Sequence, residues 1–317
     1  MTTEFFILAR AVHFGACLLF LGIFAFDRFV AASIFGNART EAADYWQARI
    51  QSSGLILLPI ILLSGLAWYV LVAVTMSGLP LGQAIQPEIL NTIWDQTQFG
   101  MVWKLRLIFW LTAMTAGVLI YFFKTQTAFQ QSLVWVQLLL GGLLTGSLAW
   151  AGHALEGSGW HLLADTLHLL VAAFWPMGLL PFALVLRRLR KTPDPVDWPA
   201  IATLVRRFSA ISLGSVALLT ITGLVNACYL VGSFSNLFEQ TYGRFLLLKI
   251  LLFLFAVAIG AVNLLRLKPR LASNASSSAE QSSSVAQLQF NVQVELFLTA
   301  FIIIVVAILG ILPPTAH

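Results

Sequence analysis

Charge is what this chain has least of. Only 10% of its 317 residues are Asp, Glu, Lys or Arg, against about a quarter in a soluble domain. Hydrophobic residues make up 59%, and mean hydropathy is +0.88. That shortage excludes a soluble globular protein and leaves an integral membrane protein. Cysteine is scarce as well: Cys17 and Cys228 both stand in apolar segments and define no disulfide framework. No GxxxxGK[ST] loop is present, which removes ATP coupling through a phosphate-binding loop. The opening stretch, MTTEFFILAR, has no basic run ahead of its apolar residues, so no cleaved signal peptide is expected. A net charge of +5 does not argue for nucleic acid, because the basic residues gather in a few loops.

What is abundant is long apolar sequence. A spanning helix needs about 20 apolar residues, and eight segments qualify, at roughly 5–26, 50–76, 102–123, 131–151, 160–186, 208–231, 244–267 and 291–312. Backbone amides in lipid must be satisfied within the segment, and each run is far longer than a barrel strand, so the fold class is all-α with eight transmembrane helices. Pro59, Pro176 and Pro181 fall inside two of these helices and are expected to kink them. The Ser-rich stretch 272–289 (ASNASSSAEQSSSVAQLQ) reads as a cytoplasmic linker.

Basic residues orient the chain. Thirteen of the 18 Lys and Arg residues belong to the loops after helices 1, 3, 5 and 7. Four others, Lys104, Arg106, Arg244 and Lys249, mark helix starts on the opposite side and are expected to snorkel to that interface. The positive-inside rule then places the basic loops in the cytoplasm and both termini in the periplasm.

The second half echoes the first. In helix 1 His13 precedes a glycine by nine residues, and in helix 5 His168 precedes one by ten. Arg49 to Gly65 and Arg207 to Gly223 are both 16 apart, and Gly100 to Arg106 and Gly243 to Lys249 are both six apart. Because each unit holds an even number of helices, the two point the same way. The expected units are 1–128, with helix 4 extending to 151, and 152–317 with the linker inside it. About 15 extra residues between helices 2 and 3 distinguish the first unit and suggest an outer lid.

Four of the five histidines, His13, His153, His161 and His168, fall near one membrane face. Ionisable groups in a bilayer are expensive and usually mark a site or pathway. His161, Asp165 and His168 share one face of helix 5 at i, i+4 and i+7, and His13 and Cys17 are one turn apart on helix 1. Asp165 is placed either to orient an imidazole or to pair with Arg10. Cys17 and Met177 read either as packing residues or as soft donors along a path. Imidazole, thiolate and thioether together favour copper over hard cations.

The stretches RAVHFGACLLFLG, WAGHALEGSGWHLLADTLHLLVAAFWPMGLLPF, RRFSAISLGSVALLTITGLVNA and TYGRFLLLKILLFLFAVAIGAVNLLRLKP resemble the copper resistance protein D (CopD) membrane family. That resemblance implies an eight-helix inner-membrane protein of copper import and homeostasis, working with a separate periplasmic copper-binding protein of the CopC type. By motif position it implies His13, His153 and His168 as copper-handling residues, with His161 and Asp165 beside them. The expected function is therefore transport rather than catalysis: copper, as Cu(I), meets His153 and His161 and passes to His13 and His168 between the two units. The alternative is a b-type haem electron-transfer protein with two histidines as axial ligands. A membrane protein that stores or senses copper without transporting it is a third reading. The orientation predicts that a reporter enzyme fused after His317 behaves as periplasmic; cytoplasmic activity would overturn it.

Overall fold

Apolar runs flanked by basic residues need their amides bonded internally, and here they become helices that outlast the runs themselves. In a computed structural model that describes residues 2–35, 41–123, 127–152, 158–191, 198–272 and 278–315, eight helices are long and apolar enough to cross a membrane. They are α1 (Thr3–Phe35), α2 (Ala43–Ser77), α3 (Gln98–Phe122), α4 (Ala128–Ala151), α5 (Gly159–Arg190), α6 (Trp198–Val231), α7 (Thr241–Leu271) and α8 (Ala279–Leu309). The described residues are predominantly helical and contain no strand. The protein is a multi-pass membrane protein.

Several helices start earlier than apolarity alone suggests. α2 gains about two turns and α6 nearly three at the basic end, carrying Arg49, Arg206 and Arg207. The Ser-rich stretch 272–289 is not a linker throughout: α8 is helical from Ala279, and residues 273–277 lie outside the described residues. Packing overrides composition there. Ser284, Val285 and Leu288 are buried, and Arg190 of α5 donates to Gln289 Oε1.

α1 is the most buried spanning helix and α7 the least. α1 packs against α2, α4, α5 and α8, presenting Cys17, Phe20, Phe24 and Ala31 to the core. Glycine makes two of these approaches possible. A β-carbon on Gly141 of α4 would sit 3.1 Å from Leu21 Cα, and one on Gly22 of α1 would sit 2.7 Å from Ala173 O of α5.

Three helices depart from regular winding. α5 is regular over Gly159–Phe174 and again over Leu179–Lys191, with a break at Trp175–Gly178. Pro176 has no N–H to continue the ladder, and the Met177 amide instead reaches Ala172 O at 3.4 Å. α1 and α7 contain π-helical turns at Asp27–Ala31 and Asn263–Leu267. The insert between α2 and α3 folds into short helices, Leu81–Ala84 and Pro87–Gln96. It is pinned by Tyr69 Oη donating to Leu90 O at 2.9 Å and by Lys104 with Asp95 at 2.8 Å.

Replacing Gly22 with Ala should lower thermal stability, although Ala usually favours a helix by about 1 kcal/mol. Forcing α1 and α5 apart costs roughly 1–3 kcal/mol. Gly214→Ala on α6, where the added β-carbon meets nothing within 4 Å, serves as the control. Melting in detergent followed by size-exclusion fluorescence measures both, and equal Tm values would contradict the close α1–α5 packing.

Candidate metal centre

α1 carries His13 and Cys17 on successive turns of its buried face, with Cys17 fully enclosed and His13 1% exposed. His13 Nδ1 lies 3.0 Å from Ile61 O and 3.1 Å from Ser64 Oγ, both on α2. The Ser64 hydroxyl donates to Ile60 O at 2.5 Å, so its oxygen acts as the acceptor and the proton between them belongs to His13 Nδ1. This assigns the tautomer and leaves a lone pair on Nε2.

That lone pair is already engaged. Arg106 of α3 is 2% exposed and donates to His13 Nε2 at 2.6 Å. The same guanidinium donates to Leu144 O at 2.5 Å, to Ser147 Oγ at 2.6 Å and to Cys17 Sγ at 3.5 Å. Its carbon stands 5.5 Å from the Trp103 ring centre. Among the described residues no carboxylate pairs with it. Its charge is met instead by the carbonyl end of the regular α4 helix, where partial negative charge collects. The expectation that Arg106 snorkels to the outer interface is therefore corrected: it turns inward, because four acceptors inside outweigh the route to water. Lys104 and Arg244 do stay at the exposed surface, bonding Asp95 and Phe238 O.

α5 carries a matching arrangement. His168 Nδ1 lies 2.9 Å from Thr222 Oγ1 of α6, and the Thr222 hydroxyl donates to Leu218 O at 2.7 Å. By the same reasoning His168 is protonated on Nδ1, with its Nε2 lone pair free of hydrogen bonds among the described residues. Gly65 and Gly223 follow Ser64 and Thr222, and a β-carbon on either would press on the histidine Cε1, at 2.9 Å and 3.3 Å. In place of Arg106 stands Lys249 of α7, within electrostatic range of both His168 and Asp165. The six-residue Gly-to-cation spacing already aligned Arg106 with Lys249 and was the signal available for them. The Gly65–Gly223 alignment also set Ser64 against Thr222, but only the packing shows that these hydroxyls meet the imidazoles.

The remaining expected residues are placed as follows. Asp165 accepts from Asn226 Nδ2 at 3.1 Å and forms no ion pair with Arg10, whose guanidinium lies over Phe14 and Trp68 at 5.2 and 5.0 Å. The aromatic faces stand in for a carboxylate there. His161 is buried and stacks on Tyr229 at 4.9 Å with an 11° tilt. Met177 is packed among Leu18, Leu21 and Ala173 and serves the α1–α5 contact. His153 lies outside the described residues. Among the described residues no group of three or more His, Cys, Asp and Glu converges enough to hold an ion. His13 takes its partners across the bundle from α2 and α3, and His168 takes its partner from α6. Axial haem ligation by His13 and His168 finds no support in these contacts, which tie the two rings to different helices.

Residues 1–164 match the model of the copper resistance protein D-like N-terminal domain, and residues 202–309 match that of copper resistance protein D. The chain is 29% identical to copper resistance protein D of Pseudomonas syringae pv. tomato over 97% of both chains. It is also 29% identical to copper transport protein CutJ of Bacillus subtilis over 81% of this chain, spanning 45% of that longer protein. No solved structure matches the chain.

An Arg106→Lys protein keeps the charge but loses the fork, since one ammonium cannot reach Leu144 O, Ser147 Oγ and His13 Nε2 together. Its Tm should fall, with about 1–3 kcal/mol lost. An unchanged melting curve would show that the fork contributes nothing beyond charge.

Proposed function

The chain belongs to the copper resistance protein D family, and from that membership and the geometry above we propose that it carries copper inward across the bacterial inner membrane as Cu(I). The observation that carries this reading is the guanidinium of Arg106, seated between an imidazole nitrogen and a thiol 3.8 Å apart. A cation of the protein's own already occupies the place between two soft donors. Bond lengths of about 2.0 Å to nitrogen and 2.3 Å to sulfur, those of the comparable d¹⁰ ion Zn²⁺, let a bent two-coordinate Cu(I) bridge His13 Nε2 and Cys17 Sγ. Two unit charges 4 Å apart repel by about 4 kcal/mol at an effective dielectric constant of 20. Arriving copper therefore drives the guanidinium back onto Leu144 O and Ser147 Oγ, which hold it in the absence of copper as well.

His168 supplies a second position at similar depth, its Nε2 presented by Thr222 as His13 is by Ser64. The matched contacts support two parallel four-helix units, 1–128 with helix 4 reaching 151 and 152–317. On this reading both termini are periplasmic, His153 and His161 form the outer entrance, and a CopC-type protein delivers copper to it. Few ligands at each position bind a monovalent ion without trapping it, as conduction requires. Asp165 beside Lys249 sets the local charge at the second position, and Arg10 braces α1 against Trp68.

His13→Ala and His168→Ala should each abolish most copper uptake into proteoliposomes. Ser64→Ala and Thr222→Ala should weaken Cu(I) binding by roughly 10–100-fold, the usual effect of removing a group that orients a ligand. Chelator-competition titration of the purified proteins measures binding. Wild-type uptake and affinity in both histidine variants would refute the site.

A further inference from the structure

One buried acid takes no part in the site above. Glu295, in the middle of α8, is 1% exposed. It lies fourteen residues from Leu309, about 21 Å along the helix at 1.5 Å per residue, and so deeper in the membrane than His13 or His168. Asn263 Nδ2 donates to Glu295 Oε1 at 2.8 Å, and Asn263 Oδ1 accepts from Asn291 Nδ2 at 2.6 Å. Asn263 is the first residue of the π-helical turn of α7. The Trp175 indole, at the broken turn of α5, interacts with the same carboxyl.

These irregular turns surround a cavity of about 130 Å³, whose polar lining is Glu295, Asn263, Ser209 and Ser212. That is enough space to hold water. No cation neutralises the acid: among the described residues Glu295 has no ion pair. On α1, Arg10 is stacked on aromatic rings and Asp27 is bonded by Arg28 and Trp46. On α5, Arg190 is bonded to Gln289. Arg206 and Arg207 on α6, and Arg266 and Arg270 on α7, are exposed.

A carboxylate without a cation in hydrocarbon is expensive, and such residues are kept where protons or ions pass. Polar neighbours, a water-sized cavity and two helix irregularities meet at this one side chain. We propose that Glu295 is a proton-exchange site in the inner half of the membrane. Its O–H bond breaks to cavity water, leaving a carboxylate and a hydronium ion, and the carboxylate later recovers a proton by the same route. Resting on the transport reading above, the proposal further links this exchange to copper movement, with the ionised carboxylate balancing the passing cation.

Two measurements test it. Infrared difference spectra of the purified protein, titrated with acid and base, should show a carboxylic-acid C=O band that ionises, and Glu295→Gln should delete it. Proteoliposomes loaded with pH-sensitive dye should show copper uptake that responds to an imposed pH gradient, and E295Q should lose that response while binding copper normally at the outer positions. E295D, which keeps the acid on a shorter stem, should retain the band and part of the response. A titrating band lost in E295Q from a wild type that moves no copper would uphold the proton site and refute the copper reading. A band that persists in E295Q, or an unchanged response to the gradient, would overturn the proposal.

Discussion

Arg106 is a full positive charge held inside a helical bundle with no counter-charge from a carboxylate among the described residues, and its surroundings are arranged to make that tolerable. A bare cation in hydrocarbon costs several kcal/mol even after relaxation. The cost is offset by one carbonyl and one hydroxyl from α4, one imidazole and one thiol from α1, and the indole face of Trp103. These partners tie three helices to one side chain. They also define the tautomer of His13, since an arginine only donates and the ring must then place its proton on the nitrogen facing α2.

The same economy recurs elsewhere in the bundle with different materials. Arg10 is met by two aromatic rings, Asp27 by Arg28 and Trp46, Asp165 by the Asn226 amide, and Glu295 by the Asn263 amide. Two of these groups sit beside a departure from regular winding: Asp27 opens the π turn of α1, and Glu295 bonds the residue that opens the π turn of α7. A widened turn displaces backbone and brings polar side chains inward, which is how a helix bends and still keeps its amides bonded.

Much was legible in the one-dimensional pattern because lipid imposes a simple rule. Runs of about 20 apolar residues must be helices, and all eight were countable from hydropathy. The importance of His13 and His168 was readable from the expense of imidazole in such runs, and the 16- and six-residue spacings lined up Gly65 with Gly223 and Arg106 with Lys249. Helix ends were less readable: α2, α6 and α8 continue into polar sequence because packing, rather than apolarity, decides where a helix stops. The Ser-rich start of α8 is the clearest case, with Ser284, Val285 and Leu288 buried against neighbouring helices.

Composition and spacing by themselves determined that this is a helical membrane protein with nitrogen donors near one face, because those properties depend only on residue type and local periodicity. Only the tertiary structure decided which way the donors turn. A helical wheel places Arg106 on α3 but cannot say whether it reaches water or His13, and it allows His13 and His168 either to converge or to face separate halves. Those choices depend on what neighbouring helices present at the same depth, the Leu144 carbonyl, the Ser64 and Thr222 hydroxyls and the Asn263 amide, and such relations between distant segments exist only once the helices are packed.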